Sequence, residues 1–376
     1  MLPFKLVYSD AYRLPIGQHV FPAEKYRFVA RCVLDNGIAT AGDFVTPQPA
    51  EDHEVLLAHG DYYVHKLRTG TLTAREELAM EVPFSDELVD AFWLNAGGSI
   101  LAARRALEDR VSFSLGGGFH HAFPDHGEGF CMINDIAIAI RVVQREKRIG
   151  RAMVVDCDVH QGNGTAVIFG RRLKSDAGAP PSVAPPFRPG LAEGGDVSPG
   201  TPPFRPGLAE GGGVPSLAQP IVTRNEYAWM REAPIDEATD VFTISLHQEN
   251  NYPPWKPPSS IDVNFTDGVE DQPYLDWLQK ALEVALAKFQ PELIAYVAGA
   301  DPYREDQLGG LSLSIDGLRR RDELVLNLAR ERRIPVFVTL AGGYAQKIED
   351  TITIHCNTVQ AAGEIYGTVV GNRSKT

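Results

Sequence analysis

Five short apolar segments, each followed by polar or glycine-rich residues, limit the folds open to this 376-residue chain more than any other feature. Each segment has the length and the β-branched or aromatic content of a strand buried on both faces of a sheet. The segments are residues 111–115, 152–155, 241–244, 293–297 and 335–340. Because helical patterns lie between several of them, the sequence predicts an α/β fold with a mainly parallel central sheet.

Three of the intervening helices are predicted from apolar residues at helical spacing. In the first, Ile136, Ile140 and Val143 share one face. The second covers residues 271–289, and Asp271 is expected to cap it ahead of a proline in the first turn. The third covers residues 314–332.

Chemically active residue types follow every predicted strand at its carboxyl end. These groups lie at residues 116–121, 156–160, 245–247, 299–301 and 342–344. In open α/β sheets, ligands bind beyond the carboxyl ends of the strands. We therefore expect the groups to converge on one site.

A metal site is predicted from Asp158 and His160, which lie two residues apart after the second strand. Residues i and i+2 of an extended segment point to the same side, so both side chains can bind one ion. Asp301, at the end of another strand, is the expected third ligand. One imidazole and two carboxylates leave a coordination position open, as in catalytic zinc sites, and such oxygen-rich sites also accept ferrous iron.

Two adjacent imidazoles, His120 and His121, supply the acid and base that metal-assisted amide hydrolysis requires. Asp156 and Asn163 flank the predicted metal ligands and are suited to fixing the tautomers of these imidazoles. Tyr344 follows a glycine pair and can donate a hydrogen bond to a developing oxyanion. These residue types together predict metal-dependent hydrolysis of an amide.

Residues 171–238 interrupt the strand–helix pattern and are predicted to form an insertion within a single domain of residues 1–376. Of the 27 prolines, 11 fall between Pro180 and Pro220. The segment that begins at Pro185 recurs unchanged from Pro202 to Gly212. Such a composition cannot bury a core, so residues 175–219 are predicted to be disordered.

Composition and charge exclude several classes of function. Acidic residues outnumber basic ones by 49 to 36 and no basic face is evident, so nucleic-acid binding is not expected. The four cysteines are widely spaced, as in proteins of a reducing compartment. Neither a signal peptide nor an apolar run of membrane-spanning length is recognisable, and we expect a cytoplasmic protein without membrane association.

The order and spacing of these residues resemble the motifs of the histone deacetylase superfamily along nearly the whole chain outside the insertion. The segments that carry the resemblance are GGFHHA at 117–122, GFCMINDI at 129–136, VDCDVHQGNGT at 155–165, SLH at 245–247, GAD at 299–301 and GGY at 342–344. The early segment GQHVFPAEKY at 17–26 is more similar to class IV and related bacterial members than to class I. The resemblance implies an arginase/deacetylase-like three-layer fold.

The resemblance also implies a role for each site residue. The zinc ligands would be Asp158, His160 and Asp301. His121 would act as general base and then as general acid, beside His120, while Tyr344 and zinc would polarise the acyl carbonyl. A structural potassium ion would lie among Asp156, Asp158, His160, Ser245 and Leu246. The substrate channel would be formed by Gly129, Phe130, Tyr252, Leu308 and Gly343.

One departure from the family concerns Asn163, which stands where many class I members have aspartate. An amide can orient His121 but adds no negative charge, so we expect a less basic imidazole. A second departure is the insertion, which begins soon after Phe169. Relatives bind a second potassium ion near that point, and the sequence leaves the existence of that second site open.

Three functions remain open from the sequence. The first is a zinc-dependent deacylase that hydrolyses N-acyl-lysine or a related acylated small amine. A ureohydrolase of arginase-like fold would need a second metal with further paired aspartates, which Asn163 and the lone Asp301 do not supply. A non-catalytic acyl-amine binding protein would not need both histidines and Tyr344. No motif defines the acyl chain length, the amine that carries it or the oligomeric state.

Overall fold

The computed structural model describes residues 1–170, 230–232 and 239–367, and one sheet runs through these residues. Its strands are β1 (Leu6–Val7), β2 (Phe44–Val45), β3 (Val111–Ser114), β4 (Ala152–Asp156), β5 (Met230–Glu232), β6 (Val241–Gln248), β7 (Ile261–Phe265), β8 (Leu293–Val297) and β9 (Val336–Thr339). All the predicted strands are therefore present, as β3, β4, β6, β8 and β9.

The strand order of the sheet is β2-β1-β3-β9-β8-β4-β6-β7-β5. Every neighbouring pair is parallel except the short edge strand β5, which runs antiparallel to β7. The mainly parallel sheet predicted from the sequence is confirmed. The five predicted strands occupy consecutive central positions, where each is covered on both faces and its residues are buried throughout.

Ten helices accompany the sheet in the described residues. They are α1 (Lys25–Asp35), α2 (Asp52–Val55), α3 (Asp61–Thr69), α4 (Ala74–Met80), α5 (Asp86–Asp109), α6 (Asp135–Arg145), α7 (Asn163–Phe169), α8 (Asp271–Lys288), α9 (Ile315–Arg332) and α10 (Ile348–Gly367), with short 3₁₀ turns at Asp10–Tyr12 and Ala41–Asp43. None of the described helices has the length and apolar content that crossing a membrane requires.

The helices pack in two groups on the sheet. One group joins α5, α6 and α7, and the other joins α1, α10, α9 and α8. α5 packs on the central strands β3 and β9, and α8 packs on β6 and β7. The result is the three-layer arrangement that the resemblance implied, with the site at the carboxyl edge of the middle layer.

Two helix starts illustrate how local sequence sets the element boundaries. Ser314 caps α9 by accepting a hydrogen bond from the Gly317 backbone N–H at 2.9 Å. The predicted cap of α8 was wrong, because Glu270 occupies the N-cap position and Asp271 is the first helical residue. The Asp271 carboxylate instead accepts hydrogen bonds from the backbone and hydroxyl of Ser314, which joins the starts of α8 and α9.

The predicted insertion falls mainly outside the described residues. Residues 171–229 and 233–238, which include the repeat and the segment predicted to be disordered, are among those that the structure does not describe. The insertion and the single-domain organisation of residues 1–376 therefore stay predictions.

The packing of α5 gives a test of this fold. A Cβ atom at Gly97 would lie 1.8 Å from the carbonyl oxygen of Gln48. Glycine-to-alanine changes inside helices commonly stabilise by up to about 1 kcal/mol. Here the backbone would have to move, so we expect Gly97→Ala to lower the free energy of unfolding by about 1–3 kcal/mol, measured by urea denaturation.

Gly363→Ala in α10 is the matched control. The nearest atom to a Cβ at Gly363 is the flexible end of the Leu2 side chain, at 2.9 Å, which can move aside. A loss at Gly97 no larger than the change at Gly363 would contradict the close contact between α5 and the segment that contains Gln48.

Candidate active site

Asp158, His160 and Asp301 converge at the carboxyl ends of β4 and β8. Their candidate ligand atoms all lie within 4.8 Å of one another, and all three side chains are buried. Among the described residues, no other group of His, Cys, Asp or Glu side chains converges in this way. The structure thus brings together the three residues that were predicted as metal ligands.

Backbone N–H groups fix the orientation of both carboxylates. Oδ1 of Asp158 accepts from the N–H of His160 at 3.0 Å, and its Oδ2 accepts from the N–H of Gly342 at 2.9 Å. Oδ1 of Asp301 accepts from the N–H of Val159 at 2.9 Å. The two carboxylates are therefore held in place before any ligand is considered.

The environment of the remaining oxygen of Asp301 indicates whether this site can hold a cation. Its Oδ2 is buried and accepts no hydrogen bond from any described residue, although Nδ1 of His160 lies 3.4 Å away. Burial, and then the charge of Asp158, raises the pKa of Asp301 to about 7. Protein groups alone therefore leave negative charge uncompensated, and an Asp₂His donor set of this kind fits a divalent transition metal.

The two adjacent imidazoles lie beside these ligands with their side chains buried. Nδ1 of His120 donates to Oδ2 of Asp156 at 2.7 Å, and Nδ1 of His121 donates to Oδ1 of Asn163 at 2.8 Å. The two Nε2 atoms are 3.1 Å apart. Asp156 and Asn163 thus contact the two imidazoles whose tautomers they were predicted to fix.

The different partners give the two imidazoles opposite electrostatics. Burial disfavours the charged form of His120, but the carboxylates of Asp156 and Asp158 outweigh it and raise the pKa of His120 to about 9. Burial, and then the charges of His120 and His160, hold the pKa of His121 well below its usual range. The site therefore favours a cationic His120 next to a neutral His121.

Tyr344 is buried in the same pocket, on the loop that follows β9. Its backbone N–H donates to Oδ2 of Asp306 at 2.7 Å, and the other oxygen of Asp306 accepts from the backbone of Leu308 and Gly309. A Cβ at Gly342 would lie 1.9 Å from Oδ2 of Asp301, so only glycine permits this loop to pass the candidate metal ligands.

A pocket joins these groups. Its lining includes His120, His121, Asp158, His160 and Tyr344, together with Phe21, Gly117, Gly118, Phe119, Gly129, Phe130, Cys131, Ala341 and Gly342. Phe130 has a left-handed backbone, with φ of 66°, and its N–H donates to the carbonyl of Met80 at 2.9 Å. This unusual conformation holds its ring 6.1 Å from that of Tyr344.

The predicted channel residues do not all line this pocket. Gly129 and Phe130 do, and the ring of Tyr252 contacts that of His121 at 5.0 Å between centroids. Leu308 is half-buried against the core, and its carbonyl accepts from Asn251 at 2.7 Å. A Cβ at Gly343 would meet Thr351 and Ala300 instead of the pocket.

The residues predicted to bind potassium lie on adjacent strands. Asp156 of β4 is directly opposite Ser245 of β6 in the parallel register. The Ser245 hydroxyl lies 2.9 Å from Nδ1 of His247, and Leu246 is buried in the next position of β6. These contacts bring the predicted residues into one region, and the ion itself stays a prediction.

Lys25 is a site neighbour that the sequence analysis missed. Its side chain is fully buried, and its ammonium group donates to the carbonyl of Ala341. Nζ lies 4.8 Å from the ring centroid of Phe21 and 5.8 Å from that of Tyr344. Burial lowers the pKa of Lys25 to about 8. No sequence signal distinguishes this lysine from an exposed one at the start of an amphipathic helix.

Known proteins are similar to this chain in both sequence and fold. The family model described as histone deacetylase domain matches residues 19–175 and 231–359. An uncharacterized protein of Picosynechococcus sp. is 32% identical over 96% of this chain and 99% of its own length. Histone deacetylase 2 of Arabidopsis thaliana is 28% identical over 92% of this chain and 77% of its own.

Solved structures agree on the fold. The crystal structure of an HDAC homologue complexed with SAHA superposes with a TM-score of 0.65 at 20% identity, covering 97% of this chain and 88% of the other. The residue ranges that match the family model contain all three candidate metal ligands, both imidazoles and Tyr344. The chain therefore belongs to the histone deacetylase family of hydrolytic enzymes.

Proposed function

We propose that this protein is a metal-dependent deacylase that hydrolyses the amide of N-acyl-lysine or of a related acylated amine. The observation that carries the proposal is the meeting, in one pocket, of an Asp₂His donor set with two adjacent imidazoles, one bonded to a carboxylate and the other to an amide. Relatives named histone deacetylase and histone deacetylase-like amidohydrolase support the same reaction class.

Asp158, His160 and Asp301 would hold the metal, with zinc as the proposed ion and ferrous iron as an alternative for the same donors. Such an ion supplies Lewis-acid activation of the acyl carbonyl and of the attacking water. A ureohydrolase with two metals is not favoured, because the described residues contain only this one convergent donor group.

The chain's own residues would move the protons. His121, kept neutral by its surroundings, accepts a proton from the attacking water and later donates it to the leaving amine. His120, kept cationic by Asp156, contributes positive charge to the pocket as negative charge develops on the substrate. The Tyr344 hydroxyl donates a hydrogen bond to the carbonyl oxygen as it becomes an oxyanion.

The lining of the pocket supports an extended alkylamine as the group that enters. Glycine at position 129 lets the backbone pass close to His121 and Tyr252, because a Cβ there would lie 2.9 Å from Cδ2 of His121. Phe130 and Tyr252 present aromatic rings near the imidazoles and Tyr344. An apolar wall of this kind suits the methylene chain of lysine or of a small amine. We also propose a structural potassium ion near Asp156, Ser245 and Leu246, supported by their adjacency in the sheet.

Removal of the Tyr344 hydroxyl tests the proposed reaction. Zinc-loaded wild type and Tyr344→Phe would be assayed on a lysine peptide that carries either an acetyl or a long fatty acyl group. We expect kcat in the variant to fall by about 10²–10³-fold with zinc content unchanged, because one oxyanion donor is lost. The peptide that wild type hydrolyses faster identifies the acyl class.

Tyr303→Phe is the control, because the Tyr303 hydroxyl contacts Asp350 at 3.3 Å and the residue does not line the pocket. Equal activity of the two variants would contradict the role of Tyr344. If zinc-loaded wild type hydrolysed neither peptide, lysine peptides would be ruled out as substrates and acylated polyamines would be assayed next.

Asn163→Asp tests the electrostatics of the base. A carboxylate in contact with Nδ1 of His121 would stabilise the imidazolium and raise its folded-state pKa, while the reaction needs the neutral form. The acidic limb of the kcat/KM profile should therefore move to higher pH, by about one unit or more. Asn327→Asp adds the same charge at an exposed position of α9 and should leave the limb in place. An unshifted limb in Asn163→Asp would contradict the assignment of His121 as base.

A further inference from the structure

A buried ion pair on α9 lies directly beneath the metal-ligand loops. Arg321 and Asp322 both have side-chain exposures of 0%, and Arg321 is among the largest fully buried side chains of the described residues. Nε of Arg321 donates to Oδ1 of Asp322 at 2.9 Å, and Nη2 lies 2.8 Å from the same oxygen. None of the roles proposed above uses this pair.

The third nitrogen of the guanidinium group contacts both ligand loops. Nη1 of Arg321 donates to the carbonyl of Gly299 at 2.6 Å and to the carbonyl of Cys157 at 3.3 Å. Cys157 directly precedes Asp158, and Gly299 precedes Asp301 by two residues. One nitrogen atom therefore connects the backbone at the end of β4 to the backbone at the end of β8.

Asp322, the charge partner of the guanidinium group, is hydrogen-bonded to two further elements, β8 and α10. Asp322 accepts hydrogen bonds from the hydroxyl of Tyr296 on β8 at 2.5 Å and from that of Thr358 on α10 at 2.7 Å. Because Nη1 of Arg321 contacts both loops, a movement of one loop relative to the other would break at least one of these hydrogen bonds. Buried pairs of this kind are often no more stabilising than apolar side chains, so structural stability alone does not account for this pair.

We propose that Arg321 is a positioning residue for the metal site, and that it sets the spacing between the loops that carry Asp158 and Asp301. This inference rests on the proposed function, because it takes Asp158, His160 and Asp301 as the metal ligands. Metal donors must be held within about 0.5 Å of their bound positions, and groups that orient the ligands commonly change metal affinity by about 10–100-fold. Lysine cannot replace arginine here, because a single nitrogen on a shorter side chain would have to serve Asp322 and both carbonyls.

The test measures zinc affinity in the full chain, by competition of the metal-free protein against a chromophoric chelator. The variants are Arg321→Lys and Arg321→Met, with Tyr296→Phe and Thr358→Val as matched controls. Each control removes one hydrogen bond to Asp322 but leaves the contacts of Arg321 with the carbonyls of Cys157 and Gly299. Urea denaturation of every variant records how far its stability has changed.

We expect both Arg321 variants to bind zinc about tenfold or more weakly than wild type, and the controls to stay within about threefold. At saturating zinc, kcat should fall in the Arg321 variants while KM stays near that of wild type, because the pocket residues that face the acyl chain are unchanged. If Arg321→Met does not fold, Arg321→Met combined with Asp322→Asn removes both charges and takes its place.

The outcomes separate this inference from the proposed function. If the Arg321 variants bind zinc as tightly as controls of similar stability, the positioning role is overturned and the deacylase proposal still stands. A wild-type protein that binds neither zinc nor ferrous iron would overturn both. Weaker zinc binding confined to the Arg321 variants would support the role.

Discussion

The structure depends on the burial of carboxylates at the carboxyl ends of two neighbouring strands. Asp156 and Asp158 follow one another on the β4 side, and Asp301 faces them from the end of β8. Burying ionised carboxylates is unfavourable unless donors or cations compensate their charge. Backbone N–H groups and His120 supply part of that compensation. One oxygen of Asp301 has no hydrogen-bond donor among the described residues, so its negative charge is not fully compensated by protein groups. A divalent cation at this position would supply the missing compensation.

Glycine occurs beside the charged residues for a steric reason that follows from the same burial. A Cβ at Gly299 would lie 2.7 Å from Oδ2 of Asp158, and one at Gly342 would lie 1.9 Å from Oδ2 of Asp301. Contacts this short exclude any side chain, so the loops from β8 and β9 reach the ligands only as bare backbone. That approach also allows the N–H of Gly342 to donate to Asp158. The pairing of glycines with chemically active residues after β8 and β9, visible in the sequence, is thus a packing requirement of a crowded site.

The parts of the fold that could be predicted from the sequence are those with local signals. The central strands are buried on both faces and appear as continuous apolar runs, whereas β1 and β2 have two residues each and give no such run. α5 was not predicted, because Gly97 weakens the helical pattern of the sequence. The same glycine is needed in the structure, since a side chain at position 97 would collide with the backbone of Gln48. Lys25 and Arg321 could not be identified as buried, since only tertiary structure removes them from solvent. The place of Leu308 in the channel was inferred from family resemblance alone and stays a prediction; the residue is half-buried in the structure.

The hydrogen-bond partner of each of the two adjacent histidines sets the charge that the histidine prefers. Both rings are buried and adjacent, so desolvation disfavours the charged form of each. The carboxylate of Asp156 reverses this effect at His120, whereas the neutral amide of Asn163 cannot do so at His121. Since the two Nε2 atoms are 3.1 Å apart, a proton on His120 further opposes protonation of His121. Two equivalent imidazoles in contact would share one positive charge. Under the proposed function, the asymmetry between the two partners instead keeps His121 neutral and available as a base. Asn163 then determines the pH above which His121 can act.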